Sequence, residues 1–269
     1  MYTYGTHGMS IKARIPEGKN YEPWHMPRLG QDEFNNLARE AQLRYFCSLA
    51  SLAPSSHNTQ PWRFSINPDA FTIDVYLDRR YVLKHSDVAG RQATISIGCA
   101  IEHIAIGAPL FGVRTSIHTQ IISREAVRPM EKTKKNERYV HLVRITLKHT
   151  LQALSKEPEL LEAVFTRKMQ RSEFDPMRML GKPLIRDLEK TADGKKVRLR
   201  FISDIVRKMA LAEFQAQADC YVINSPNFSQ ELGEWLLPND TEAALGMPGV
   251  GFGLKDIEAL RIHNGLIGK

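Results

Sequence analysis

The densest gathering of groups that could do chemistry is Ala53-Pro54-Ser55-Ser56-His57-Asn58-Thr59-Gln60-Pro61-Trp62. Adjacent hydroxyls and two amides stand between Pro54 and Pro61, whose rings fix the two ends. Neutral donors and acceptors at this density suit a polar, largely uncharged heteroaromatic ligand. The competing meaning is a capping loop whose Ser and Asn side chains bond their own backbone. Ser55, Ser56 and His57 do not make a hydrolytic nucleophile and base, because loop neighbours rarely aim at one another and no acid is spaced to orient the imidazole. The nine histidines, among them His57, His85, His103, His118, His141 and His149, show no ligand spacing with Cys or acids, so no metal is expected. Gly246-Met-Pro-Gly-Val-Gly-Phe-Gly253 has neither the Lys-Ser/Thr ending of a phosphate-binding P-loop nor a strand just before it.

The loop needs elements to hold it. Phe34, Leu37, Ala41, Tyr45, Leu49 and Leu52 recur at spacings of three or four, which predicts one helix over Gln31 to Ala53, stopped by Pro54. Trp62 to Ile66 and the alternating Phe71 to Leu77 read as a hairpin across Asn67-Pro68-Asp69. Gly90 to Phe111 is apolar on most of its circumference and carries many small residues, so it should be a helix buried nearly all round at a packing interface. Val113 to Ile122 and Tyr139 to Leu147 read as antiparallel strands. Further on, a helix from Pro158 through Phe165, a helix over Pro183 to Ala192, a strand Val197 to Ser203 and a helix Ile205 to about Ile223 faintly repeat the first order.

Composition bounds the rest. The chain has 269 residues, 42% apolar and 25% charged, with 37 Lys+Arg against 30 Asp+Glu and a net charge of +7. This is a globular composition with chain enough for a substantial core. A pI near 9.3 raises nucleic acid as a partner. The excess is small, however, and the densest basic stretch, Lys132 to Arg138, reads as a solvated hairpin loop, so no nucleic-acid partner is expected. Charged residues punctuate every apolar run, which argues against a membrane partner. Cys47, Cys99 and Cys220 form neither a disulfide framework nor a zinc pattern, and the first thirty residues lack a secretory signal, so a cytoplasmic location is expected.

The order PSSHNTQPWRF resembles the flavin-binding signature of the nitroreductase superfamily, a Pro-Ser-x-x-Asn-x-Gln-Pro-Trp loop after the first long helix. LDRRYVLKHSDVAGRQATISIGCAIEHIAIGAPLFG is similar to the Asp-Arg and Gly-Arg-x-x-x-Ile-Ser-x-Gly-x-Ala segment of the single-chain, internally duplicated Acg-like FMN-binding branch. Phe174-Asp175-Pro176 and Trp235-Leu-Leu-Pro-Asn-Asp240 resemble later landmarks, so the resemblance runs from roughly Asp32 to Leu254.

That resemblance implies an α+β nitroreductase-like fold with two pseudo-twofold-related halves of mixed or antiparallel sheet flanked by helices. The expected organisation is a leader over 1–30, a first half over 31–150 and a second, incomplete half over 151–269. It implies FMN as cofactor, with NAD(P)H as electron donor and a nitroaromatic or quinone-like small molecule as acceptor. The alternative is a protein that binds or sequesters FMN with little turnover. Pro54, Ser55, Ser56 and Asn58 would contact the flavin, and Arg167, Lys168 and Arg171 would hold its phosphate, where guanidinium and ammonium donors are needed. No residue is proposed as a covalent catalyst. At most one flavin is expected per chain, because the second half shows no counterpart of the Pro-Ser-x-x-Asn loop. Branch members continue for several tens of residues beyond the Gly-rich loop. The helix Arg91 to Leu110 would therefore lack its pseudo-twofold partner, which leaves a truncated product, a rearranged one, or one that binds a partner, such as a further chain in an oligomer covering the Gly90 to Phe111 helix.

Overall fold

A computed structural model describes residues 3–4, 11–12, 18–130, 137–150, 158–169, 175, 178–192, 194, 197–255 and 258. In chain order its main elements are β1 (Thr3–Tyr4), β2 (Ile11–Lys12), α1 (Gln31–Asn35), α2 (Arg39–Ser51), β3 (Trp62–Asn67), β4 (Thr72–Asp78), α3 (Arg91–Gly107), β5 (Val113–Thr119) and β6 (Tyr139–His149). Then follow α4 (Pro158–Thr166), α5 (Lys182–Ala192), α6 (Ile205–Ile223), α7 (Pro226–Trp235), β7 (Leu236–Leu237) and β8 (Met247–Pro248). The chain divides into one compact unit of residues 1–170 with 230–269 and another of residues 171–229.

The first unit is built on a four-stranded antiparallel sheet in the order β3-β4-β6-β5. Alternation along β4 turns Ile73, Val75 and Leu77 into the core, where they meet Ile145 of β6 and Val113 of β5, all with no exposure. Against this face lie α2, through Leu43, Phe46 and Leu49, and α3, through Ile97 and Ile104. Each such side chain contributes about 1.5–3 kcal/mol by leaving water. Phe34 stacks on Phe111 at 4.4 Å, and Tyr45 meets the same ring edge-on at 5.6 Å, which ties α1 to the end of α3. Gly107 sits where a Cβ would come within 2.7 Å of Leu49 Cδ1, so the small residue there permits the close crossing of α2 and α3.

The hairpins, α4, α5 and α6 form where periodicity and turn residues predict them. Three expectations need correction. The single helix over Gln31 to Ala53 is broken: Asn36 closes α1, and Ala38 turns extended (ψ 149°) before α2 starts. The buried Gln42 amide fills the corner by donating to the Phe34 carbonyl at 3.1 Å. Apolar spacing runs through the break because both helices face one core. The Gly90 to Phe111 helix is not buried nearly all round: Thr94, Gly98 and Glu102 are exposed and Ile95 is 55% exposed, opposite the buried Ala93, Ile97, Ala100 and Ile104. Although Arg91–Phe111 is long and apolar enough to cross a membrane, half of it is buried inside the structure, as in a core helix.

The third correction lies in the unit 171–229, where Val197 to Ser203 forms no strand. Its alternation lacks a ladder partner among the described residues, and Arg198, Leu199 and Arg200 are exposed. No counterpart of the four-stranded sheet forms there among the described residues. The unit is helical, with α6 capped by Asp204, whose carboxylate accepts the Arg207 N–H at 2.9 Å.

Candidate functional site

The site is built where α2 ends and β3 begins. Leu52 closes α2, Pro54 stops it, and the chain reaches Trp62 through a short turn over Ser56–Asn58. His57, Asn58 and Gln60 take φ of 50°, 52° and 45°, so three non-glycine residues within four positions are left-handed. Each costs about 1–2 kcal/mol against an ordinary backbone. Such strain persists only where the surroundings over-determine it, and it gathers at functional loops.

The restraints are visible. Ser55 Oγ accepts the Gln60 N–H at 3.0 Å, and the Asn58 N–H donates to the Ser55 carbonyl at 3.0 Å. Asn58 and Gly246 are joined twice: the Gly246 N–H donates to the Asn58 carbonyl at 3.2 Å, and Asn58 Nδ2 donates to the Gly246 carbonyl at 3.0 Å. Asn20 Nδ2 donates to the carbonyls of Gly246 and Ala243, both at 3.2 Å. Gln60 Nε2 adds a bond to Asn58 Oδ1 at 3.3 Å. Leader, signature loop and Gly-rich loop thus meet at one clamp.

The side chains of Ser55 and Asn58 serve the local backbone and the clamp, as the capping reading of the loop expects. The Ser56 hydroxyl has no hydrogen-bond partner among the described residues, while its N–H lies 3.4 Å from Ser96 Oγ. Asn20 was not among the sequence candidates, and Gly246 was singled out only as the start of the Gly-rich loop and not as a partner of Asn58. Gly246 has φ +97°, and a Cβ there would lie 2.6 Å from Leu237 Cδ1 and 3.1 Å from the Trp235 carbonyl. We expect Gly246→Ala to cost about 1–2 kcal/mol in chemical denaturation, through backbone strain and displacement of Leu237.

Arg167 follows α4, and its Nη2 donates to the Leu52 carbonyl at 2.7 Å, two residues before Pro54. The structure therefore brings this arginine to the root of the signature loop. Its guanidinium lies 5.6 Å from the Trp24 ring centroid and Lys168 Nζ lies 4.1 Å from it. Among the described residues no carboxylate pairs with either cation, and Arg167 Nε is buried with no hydrogen-bond partner. Burial pushes the Arg167 pKa down, and burial followed by the Arg167 charge pushes Lys168 down. Two partly desolvated cations with an unused buried N–H call for an anion. Arg171 lies outside the described residues.

Neighbouring groups offer little competing chemistry. Burial pushes the His103 pKa down, and its Nδ1–H donates to the Leu49 carbonyl at 3.0 Å. Cys47 lines a hollow of about 390 Å³ with Arg44, Ser48, Ser51, Phe64 and Ile66, which contains none of the candidate residues. Burial pushes its thiol up to about 12, so it carries no thiolate at neutral pH.

No family model matches the chain. A protein of Mycobacterium tuberculosis named "Putative NAD(P)H nitroreductase acg" is 33% identical over 69 residues, which are 26% of this chain and 20% of that protein. A second protein of that bacterium bearing the same kind of name is 32% identical over 76 residues, 28% of this chain and 22% of the relative. The matched stretches span about a fifth of the length of these relatives. A crystal structure of a nitroreductase family protein from Streptococcus pneumoniae aligns with 53% of this chain and 86% of its own at 16% identity and a TM-score of 0.27.

Proposed function

We propose that the chain is an FMN-dependent oxidoreductase of the nitroreductase type, passing reducing equivalents from NAD(P)H to a nitroaromatic or quinone-like acceptor. The observation that carries the reading is Arg167, a half-buried cation whose buried Nε–H is unused and which has no carboxylate partner among the described residues, at the root of the strained Pro54–Trp62 loop. The local relatives named as NAD(P)H nitroreductases support the same class.

The residues fit the cofactor. A phosphate dianion would satisfy Arg167 Nε and offset the charges of Arg167 and Lys168, and Arg171 follows closely in sequence. Pro54, Ser55, Ser56 and Asn58 would border the ring, with the Ser56 hydroxyl, unpartnered among the described residues, available to a ring heteroatom. When bound, FMN supplies reversible hydride and electron transfer, so no acid/base pair is required of the chain. The loop's own contribution is rigidity: the Asn58–Gly246 clamp keeps its polar groups from collapsing when a ligand leaves. The reading includes the single-chain, duplicated Acg-like branch, a cytoplasmic setting, and a second chain over the exposed Thr94, Ile95, Gly98 and Glu102 side of α3.

Purified protein supplied with FMN should oxidise NADH or NADPH in the presence of a nitrofuran or quinone faster than free flavin does. A rate no higher than free flavin, with FMN bound, would favour the sequestering alternative. Arg167→Ala is expected to weaken FMN binding by about 1.5–3 kcal/mol, or tenfold and more in Kd, by fluorescence titration.

A further inference from the structure

Asp78 ends β4 with its carboxylate fully buried, and three guanidiniums converge on it. Arg80 forks onto both oxygens, Nε to Oδ1 at 3.1 Å and Nη2 to Oδ2 at 2.9 Å. Arg138 does the same, Nε to Oδ1 at 3.2 Å and Nη2 to Oδ2 at 2.9 Å. Arg63 Nη2 approaches Oδ2 at 3.6 Å. Among the described residues no other carboxylate pairs with these three arginines, and the nearby Glu137 is bonded to Arg79 at 3.2 Å. Among the described residues the cluster therefore holds an excess of two positive charges.

Neutralising Asp78 would take one bidentate arginine. Gathering three adds repulsion of about 1 kcal/mol or more per pair even in a high dielectric, so the surplus needs another reason. The three side chains are between 31 and 39% exposed, which leaves their outer N–H donors accessible. They are also braced: Arg63 and Arg80 lie 4.9 and 5.2 Å from the Tyr81 ring centroid, and Arg138 lies 4.4 Å from that of Tyr139. The carboxylate acts as a template that holds guanidinium forks in fixed directions, and an incoming oxyanion need not order them.

The cluster adjoins the signature loop. Arg63 Nη1 donates to the Trp62 carbonyl at 2.6 Å and the Gln60 carbonyl at 3.4 Å, and the Asp78 N–H donates to the Pro61 carbonyl at 2.8 Å. We infer that Arg63, Arg80 and Arg138, gathered on Asp78 at the end of the sheet where the Pro54–Trp62 loop enters, form an anion subsite for a phosphate monoester. A dianion matches the surplus charge, and its several oxygens suit several forks. Its assignment to the ribose phosphate of a phosphorylated pyridine dinucleotide rests on the oxidoreductase reading; the anion subsite does not.

The test is NMR of the arginine Nε–Hε resonances of the full chain, without added flavin, titrated with inorganic phosphate, adenosine 2′-monophosphate and neutral adenosine. Saturable shifts of Arg80 and Arg138 with both phosphates and none with adenosine are expected. Arg80→Gln and Arg138→Gln, each leaving the other fork on Asp78, should weaken binding by about tenfold or more, while Arg114→Gln on the exposed side of β5 should not. Far-UV circular dichroism verifies that the variants fold. Tighter binding of the adenosine monoester assigns a nucleotide source, and equal affinities assign the simple oxyanion. Absence of saturable shifts, or shifts that persist in both cluster variants, would overturn the subsite. The result is independent of FMN, so it separates failure here from failure of the flavin reading.

Discussion

Asp78→Asn is expected to lower the free energy of unfolding by about 2–4 kcal/mol, measured by urea denaturation near neutral pH. The carboxylate is fully buried and carries two arginine forks and a third cation. Removing one partner of a buried ion pair costs about 3–5 kcal/mol, because the other charge is stranded. The lower figure applies because these guanidiniums are partly exposed and can turn to water. Asn keeps the shape and one acceptor, so the loss reports charge and not volume. A cost below about 0.5 kcal/mol, the range of ordinary surface substitutions, would mean that the cluster does not organise this end of the sheet.

Glu231→Ala should cost about 3–5 kcal/mol for a related reason. Glu231 lies on α7 and is 7% exposed, and its carboxylate accepts the N–H groups of Lys84, His85 and Ser86 together with the Ser86 hydroxyl, at 2.6–3.3 Å. Truncation strands three backbone donors in succession. Burial pushes this carboxyl up, but bonds from Ser86, Lys84 and His85 outweigh it, and the net pKa is below the ordinary 4.5. A depressed carboxyl gives stability that is complete above its unfolded value and is lost as pH falls through the folded one. The variant should therefore trail the parent most at neutral pH, and the gap should narrow as the pH falls below the ordinary 4.5 and through the depressed folded value. A gap that stays constant into acid would assign the effect to packing instead of charge.

Helices and hairpins were legible because their signals are local. The α6 bounds and the two sheet hairpins follow from periodicity and turn residues alone. The break before α2 was not, because Ala38 carries no breaking signal and the corner depends on Gln42 reaching back to Phe34. Val197 to Ser203 failed in the opposite sense: alternation describes a strand only when a neighbour supplies the ladder.

The site divides in the same way. The Ser55 to Gln60 loop stands out by density of polar groups, whereas Arg167 is reached only through the family resemblance that implies an Arg-rich motif there. Asn20 and Glu231 were invisible, and the Gly-rich loop showed itself without showing that Gly246 joins Asn58, since each acts through a partner about 145 or more residues away in sequence and leaves no local spacing to read. The surplus of seven positive charges likewise looked diffuse, yet two of them sit uncompensated around Asp78 among the described residues.

The most direct measurement of the central claim is equilibrium titration of the purified, flavin-free chain with FMN, followed by quenching of flavin fluorescence, beside the Arg167→Ala variant. The account predicts saturable binding of one FMN per chain, at least tenfold weaker in the variant. A chain that purifies colourless and takes up no added FMN would contradict it.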